Sequence, residues 1–403
     1  MIKVTANYSG RCAEFWMPCS EAEMHKCFEQ LQTSEEHSTS LFVQTVIRPI
    51  QLAFLEDTFV DMDELNFLAK RLNCFSDTEL DTFYGMIRHK GFTQLKDLIN
   101  ATYNLDNYTL VQDFRHIAFV GRTHYHALHG RITEAAEKET DFVKMGRDLL
   151  TSGNGIITDY GMLFPNEGKI FDEVYDGQVF PIQYHDDDSL MDVRMDYGGK
   201  REVGFLPTHP IAITKALRRL GAESVEDCQL SLYDFSIDNS QWRERFRDMI
   251  SDEDLFSINS LADTINSADI DLDKLWSLAE YAQAENATEL AKLAQYINCF
   301  TFIEGVETYE AVAEYLTENE EAYDLNPILT DYFDYEGFGE HIADEFEGRF
   351  VCEGFVFNDS NMPLRDMLSR NNTMQMGGRR KRTTHSKSIT AEKKKTVTQI
   401  YVR

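Results

Sequence analysis

The chain repeats itself, and this limits its fold more than any other feature. Asn7-Tyr8-Ser9-Gly10, Phe15-Trp16-Met17-Pro18, Lys26 and Leu31 return as Asp196-Tyr197-Gly198-Gly199, Gly204-Phe205-Leu206-Pro207, Lys215 and Leu220, each 189 residues on and without a gap. A second match closes each copy. Asp141, Gly146, Gly155, Gly161 and Phe164 fall on Asp334, Gly339, Gly348, Gly354 and Phe357, now 193 residues on. A fixed period of this kind means one supersecondary arrangement used twice. The 403 residues therefore divide into a first module at 1–165, a structured acidic spacer at 166–190, a second module at 191–358 and a basic tail at 359–403.

Within each copy the local patterns agree. Alternating residues at 2–8 and 11–17 around Ser9-Gly10 predict a β-hairpin, and 191–197 with 201–206 around Gly198-Gly199 predict another. Ser20 and Glu23 have capping-box spacing, while Thr208, Pro210 and Gly221 supply cap, first turn and stop for the matching helix. Runs at about 258–268, 271–283, 287–300 and 307–321 read as amphipathic helices, with stripes such as Leu272, Leu275, Trp276 and Ala279. A helix near 334–346 and a short strand pair ending at Phe355-Val356-Phe357 complete the second copy. Residues 168–182 read as one more hairpin, turning at Asp176-Gly177 ahead of Asp186-Asp187-Asp188. The fold class is α+β. After Asn358 the clusters Arg379-Arg380-Lys381-Arg382 and Lys393-Lys394-Lys395 stand among few apolar residues, the composition of a disordered end. Such a tail suits contact with nucleic acid or with the chain's own acidic stretch.

Charge separates the two copies. The formal net charge is −30. Residues 1–165 hold 15 basic and 23 acidic side chains, whereas residues 252–358 hold only Lys274, Lys292 and Arg349 against 26 carboxylates. Solubility alone asks for roughly 2–8 net charges on a small domain. Like charges at helical i, i+4 spacing each cost roughly 0.2–0.5 kcal/mol, so a face of this kind calls for a purpose. Carboxylates three or four positions apart on a helix lie about 5–6 Å apart, a spacing of the same order as neighbouring phosphates of duplex DNA. A protein groove that grips DNA through Lys and Arg meets in such a face a substitute backbone without bases. The candidate phosphate substitutes are Asp252, Glu253, Asp254, Asp263, Asp269, Asp271, Asp273, Glu280, Glu285, Glu289, Glu304, Glu307, Glu310, Glu314, Glu318, Glu320 and Glu321.

Other chemistry is less well supported. His116, His124, His126 and His129 crowd what reads as an insertion in the first module, but His-x-His-x-x-His alone is a weak metal pattern, and loop or interface histidines fit it better. Gly153, Gly155 and Gly161 are followed by no Gly-Lys-Ser/Thr, and Gly-x-Ser-x-Gly is absent. Seven scattered cysteines lack a Cys-x-x-Cys pair, so they read as reduced thiols. The expectation is a non-enzymatic protein without metal or cofactor. With no run of about eighteen apolar residues and no basic-then-apolar start, a cytoplasmic location is expected.

The closing Asp331-Tyr332-Phe333-Asp334-Tyr335-Glu336-Gly337-Phe338-Gly339, the ending Gly354-Phe355-Val356-Phe357 and the opening Tyr-Gly hairpin with Phe-x-Pro resemble the ArdA antirestriction proteins. The resemblance covers both modules and not the tail. It implies an elongated chain of two tandem modules, each with a small α/β hairpin-helix domain, a helical middle and a small α/β end domain. It further implies a DNA mimic that fills the groove of a type I restriction-modification enzyme, or a related DNA methyltransferase or nuclease complex, and does not itself bind duplex DNA. Self-association through the closing motif also follows from it, with Asp141, Gly146, Arg147, Asp148, Asp334, Tyr335, Phe338, Gly339 and Phe357 as interface residues. The two closing motifs would pair either with each other or with a second chain. The family's Arg-Asp-Leu survives as Arg147-Asp148-Leu149, while the second copy has Glu340-His341-Ile342. Two rival readings remain at this point: an acidic adaptor that recruits a basic partner unrelated to DNA, and a metal-dependent hydrolase built on the histidines.

Overall fold

The computed structural model describes residues 1–181, 189–236, 238–268, 270–320, 323, 325, 330–360 and 362–369. Asp186-Asp187-Asp188, Asp269, Glu321 and the basic clusters of the tail lie outside the described residues. The protein is α+β, with four small antiparallel sheets among the described residues. It forms two compact units that do not follow sequence order. Of the described residues, 194–204 and 208–230 join 1–181 in the first, and 189–193, 205–207 and those between 231 and 369 make up the second.

Alternation builds the first sheet, with strand order Arg11–Met17, Ile2–Tyr8, Ser40–Arg48 and Thr58–Asp61. Val4 pairs with Phe15 and Ala6 with Ala13. All four are buried, as are Met24, Phe28 and Leu31 of the helix Glu21–Leu31 in the same core. That helix starts with the capping box: Ser20 accepts from Glu23 N, and Glu23 reaches back to Ser20 N. Its counterpart is Pro210–Leu220, and the cap there is His209 rather than Thr208. Proline at the first helical position places the N-cap one residue before it, where the His209 ring accepts from Ile211 N at 3.4 Å. Gly221 ends the helix in the left-handed region at φ 83°.

From the last helix of each middle onward the two copies correspond, at an offset of 192 through the helices starting at Ile117 and Tyr309 and of 193 in the closing helix and strand pair. Leu95–Ala101 answers Ala287–Gln295, Tyr108–Val111 answers Phe300–Glu304, and the helices starting at Ile117 and Tyr309 correspond. The end sheets share one order, Tyr108–Val111, Gly161–Pro165, Ile156–Thr158 in the first copy and Phe300–Glu304, Gly354–Asn358, Arg349–Val351 in the second. Register agrees too: Val111 faces Met162 and Ile303 faces Phe355. His124, His126 and His129 therefore lie on the helix Ile117–His129, with His116 at its N-cap, and this stretch is a regular member of the repeat and not an insertion. Reversed surface polarity hid the match, because Arg115, Ala118, Arg122 and His126 occupy the places of Glu307, Glu310, Glu314 and Glu318.

The repeated glycines are sites of close approach. A Cβ on Gly146 would overlap the carbonyl oxygen of Ile117, and one on Gly339 would overlap that of Tyr309, so each closing helix crosses its neighbour with only hydrogen in between. The segment 168–181 forms no hairpin. Asp176 makes a turn by accepting from Gln178 N, but no strand flanks it. The Asn100 side chain bonds both the N–H and the carbonyl of Tyr175, and Asn104 does the same for Asp172. Side chains thus satisfy the backbone groups that a hairpin partner would have paired. The helix Ser240–Asp252, anchored by buried Trp242, Phe246, Met249 and Ile250, has no counterpart in the runs read from the sequence.

Candidate functional site

Helices Leu255–Ala268, Leu272–Ala282 and Ala287–Gln295 bury Ile258, Leu261, Leu275, Leu278, Leu290 and Leu293, which turns their polar faces outward. Asp252, Asp254, Asp263, Asp271, Asp273, Glu280, Glu285, Glu304, Glu307, Glu310, Glu314, Glu318 and Glu320 are exposed, and Glu253 and Glu289 are half-buried. Part of this acid serves the fold. Asp254 accepts from Ser257 N and Asp271 from Asp273 N, each at 3.1 Å at a helix start. Glu253 accepts from Ala287 N at 2.8 Å, and burial raises its pKa. Glu280 accepts from Cys352 N at 2.9 Å and Cys352 Sγ at 3.3 Å, and this bond pushes the thiol pKa up. The N–H of Glu285 donates to Glu289.

Glu304, Glu307, Glu310, Glu314, Glu318 and Glu320 do nothing of this kind; among the described residues none makes an ion pair or a side-chain hydrogen bond. Glu310, Glu314 and Glu318 run down one side of the helix Tyr309–Asn319, whose other side buries Val312, Ala313 and Leu316. At a rise of about 1.5 Å per residue these carboxylates recur roughly every 6 Å. The sparse cations of the region are largely engaged elsewhere. Lys292 Nζ donates to Leu368 O at 2.6 Å and Arg349 to Tyr281 O at 3.2 Å, while Lys274 stands 4.0 Å from Asp271.

The closing-motif residues are mostly structural. Asp141 and Asp334 cap their helices, accepting from Lys144 N at 2.9 Å and Gly337 N at 3.2 Å. Phe338 and Phe357 are buried in one core with Val312, Leu316, Phe333 and Ile342. Tyr335 is half-buried, its ring 5.0 Å from that of Phe333. Gly146 and Gly339 are the crossing points, whereas Arg147 and Asp148 face solvent. The histidines do not converge. His116, His126 and His129 are exposed, and His129 lies against Tyr125 with ring centres 4.3 Å apart. His124 bonds Thr109 Oγ1 at 3.2 Å, and burial lowers its pKa. Among the described residues no three His, Cys, Asp or Glu side chains are grouped to hold a metal, and no helix is long and apolar enough to cross a membrane.

A second charged cluster, inside the first unit, was invisible in the sequence beyond the repeat of lysine at 26 and 215. Lys215 is fully buried, with Nζ 2.9 Å from Glu21, 2.8 Å from Glu35 and 2.9 Å from Asp63. Arg219 joins Asp63 at 3.3 Å to buried Glu202 at 2.5 Å. Arg218 donates to Glu35 O at 2.8 Å and to Thr39 Oγ1 at 3.2 Å. Burial works against the Lys215 ammonium, but Asp63 and Glu21 more than reverse it, so its pKa is raised. Burial raises Glu202 in turn. Glu35 Oε2 lies within ion-pair reach of Lys215 yet off the hydrogen-bond direction, and Glu202 Oε2 has no hydrogen-bond partner. No protein-family model and no curated protein matches the chain.

Proposed function

We propose that the chain is an antirestriction protein of the ArdA type, a DNA mimic built as an elongated pair of tandem modules that blocks the DNA groove of a type I restriction-modification enzyme. The observation that carries this reading is the row Glu304, Glu307, Glu310, Glu314, Glu318 and Glu320, exposed and free of ion pairs among the described residues. A fold does not need such a row, since it gains no internal partner from it and bears the repulsion of like charges. A groove lined with Lys and Arg does need one, because its affinity for DNA comes largely from phosphate contacts. Mimicry belongs to the second module. The matching stretch of the first carries Arg115 just ahead of the helix and Arg122 and His126 on it, with Arg115 paired to Asp113 and Arg122 to Glu137.

Competition tests the proposal. The full chain at near-equimolar ratio displaces duplex DNA from a type I restriction or methyltransferase complex, and added salt weakens the displacement. A ternary complex that keeps its DNA would instead identify an acidic adaptor. Failure to bind any such enzyme at low salt would remove the mimic reading.

A further inference from the structure

The acidic middle of the second copy carries a cavity that the row of glutamates does not use. Its volume is about 400 Å³, toward the low end of the roughly 300–1,000 Å³ typical of ligand pockets. Trp276, Ala279 and Glu280 stand at i, i+3 and i+4 on the helix Leu272–Ala282 and so share one side of it. Ala284 and Glu285 follow just beyond its end, and Arg245 comes from the helix Ser240–Asp252. All of them belong to the second unit.

The floor is apolar and firmly held. Ala279 and Ala284 are buried, and the half-buried Trp276 packs edge-on against Trp242 with ring centres 5.3 Å apart. Trp242 is fixed in turn, its Nε1–H donating to Leu272 O at 3.0 Å. The rim is anionic, because Glu280 and Glu285 are both exposed. Glu280 accepts from Cys352 N at 2.9 Å and from its Sγ at 3.3 Å, which leaves about two of its roughly four acceptor sites open. The Glu285 carboxylate bonds nothing among the described residues. The cation in the lining is already engaged: Arg245 Nη2 donates to Ala284 O at 2.6 Å, its guanidinium lies 5.6 Å and 5.3 Å from the Trp242 and Trp276 rings, and Glu253 acts on its charge. Two carboxylates with open acceptor sites against one engaged guanidinium make the cavity attract cations and repel anions.

An apolar floor under an anionic rim suits a long side chain with a charged head, since Lys and Arg bury their stems on apolar surface and keep the charge at its edge. Arginine suits it better than lysine. Its planar guanidinium stacks on an aromatic face and pairs with carboxylates through two N–H groups at once, whereas an ammonium is a point charge. Arg245 displays the same match within the fold.

We propose that this cavity receives an arginine side chain of the partner protein: the stem lies on Trp276, Ala279 and Ala284, and the guanidinium pairs with Glu280 and Glu285. The proposal rests on the reading of the acidic region as a partner-binding surface, and it names the side chain that the partner brings. Interface energy concentrates where an arginine or aromatic anchor fills a pocket, so this contact discriminates among basic partners that the exposed glutamate row accepts alike.

Labelling the full chain with fluorotryptophan gives fluorine NMR signals for Trp16, Trp242 and Trp276, and Trp276→Phe assigns the last. Nα-acetylarginine amide should move the Trp276 signal saturably and leave that of Trp16, an exposed indole outside the cavity, where it was. Nα-acetyllysine amide should need a several-fold higher concentration for the same shift. Glu285→Gln removes a carboxylate that serves nothing in the fold, and it should weaken the arginine probe roughly two- to fivefold, the range for an exposed ion pair. Equal response to the two probes, an equal shift of Trp16, a stronger response to Nα-acetylphenylalanine amide or an unchanged Glu285→Gln titration would overturn the proposal. No enzyme takes part, so a chain that displaces DNA yet fails here keeps the mimic function and loses the pocket.

Discussion

Replacing Glu314 and Glu318 together by glutamine should make the protein more stable. On the helix Tyr309–Asn319 the two residues form i, i+4 pairs, Glu310 with Glu314 and Glu314 with Glu318, and Glu318 stands in the last turn beside the negative end of the helix dipole. Each pair costs roughly 0.2–0.5 kcal/mol and the misplaced terminal charge roughly 0.3–1 kcal/mol. Neither carboxylate has a compensating partner among the described residues, so the double variant should gain about 0.7–2 kcal/mol at low ionic strength. Urea unfolding in about 10 mM salt measures this as a higher midpoint at unchanged slope. In about 1 M salt, where the Debye length falls to about 3 Å, the gain should nearly vanish. Under the proposed DNA-mimic function, the same variant should compete less well with DNA for a type I restriction enzyme. A loss of stability at low salt, or a gain indifferent to salt, would show that these carboxylates serve the fold and that the reasoning from unpaired charge is wrong.

Gly146→Ala and Gly339→Ala should each destabilise by at least about 1–3 kcal/mol, the usual range for overpacking, because the new methyl meets a backbone carbonyl that cannot step aside; thermal unfolding checks this. The phenol of Tyr281 is pushed up to about 12, by burial first and then by Glu347. The folded state therefore holds a proton that the unfolded chain releases near pH 10, so this contribution is fully present below pH 10 and is lost as pH rises toward 12. Absorbance titration should show the Tyr281→Phe variant lacking one phenol from the late transition near pH 12 that Tyr281 shares with Tyr84. The thiol of Cys19 is likewise pushed up to about 12 by burial, so the folded protein should leave it unalkylated at pH 8 and release it to reagent on unfolding.

The hairpins and the closing glycines were legible in the sequence because the physics behind them is local or exclusive. Strand alternation at 2–8 follows directly from one buried face, and only glycine fits where Gly146 and Gly339 cross a neighbouring backbone. The helices at 258–268 and 271–283 showed in their apolar stripes and appear as Leu255–Ala268 and Leu272–Ala282. Three features did not show. The helix Ile117–His129 was concealed because residues facing water carry no imprint of the fold. The segment 168–181 presented turn residues, but its backbone is satisfied from afar by Asn100 and Asn104. Lys215 lay beyond reach for a third reason: lysine reads as a surface residue unless its acidic partners, here 152 to 194 positions away, are known to meet it. In the acidic region the sequence showed where the charge is but not which carboxylates are at liberty, since the bonds of Glu253 and Glu280 to distant backbone N–H groups are tertiary.

The correspondence between the helices Ile117–His129 and Tyr309–Asn319 has a bearing on how such a chain changes over generations. What shapes this scaffold is a small set of inward residues, together with the two glycine crossings; the outward positions are under almost no packing constraint, and exchanging their charges moves stability by only tenths of a kcal/mol each. One copy has drifted to arginine and histidine and the other to glutamate without disturbing a strand order or a register. Once doubled, the architecture is a carrier on which surface electrostatics is inherited almost independently of shape. Successive single substitutions can then rewrite the surface charge of one copy while the other copy stays as it was.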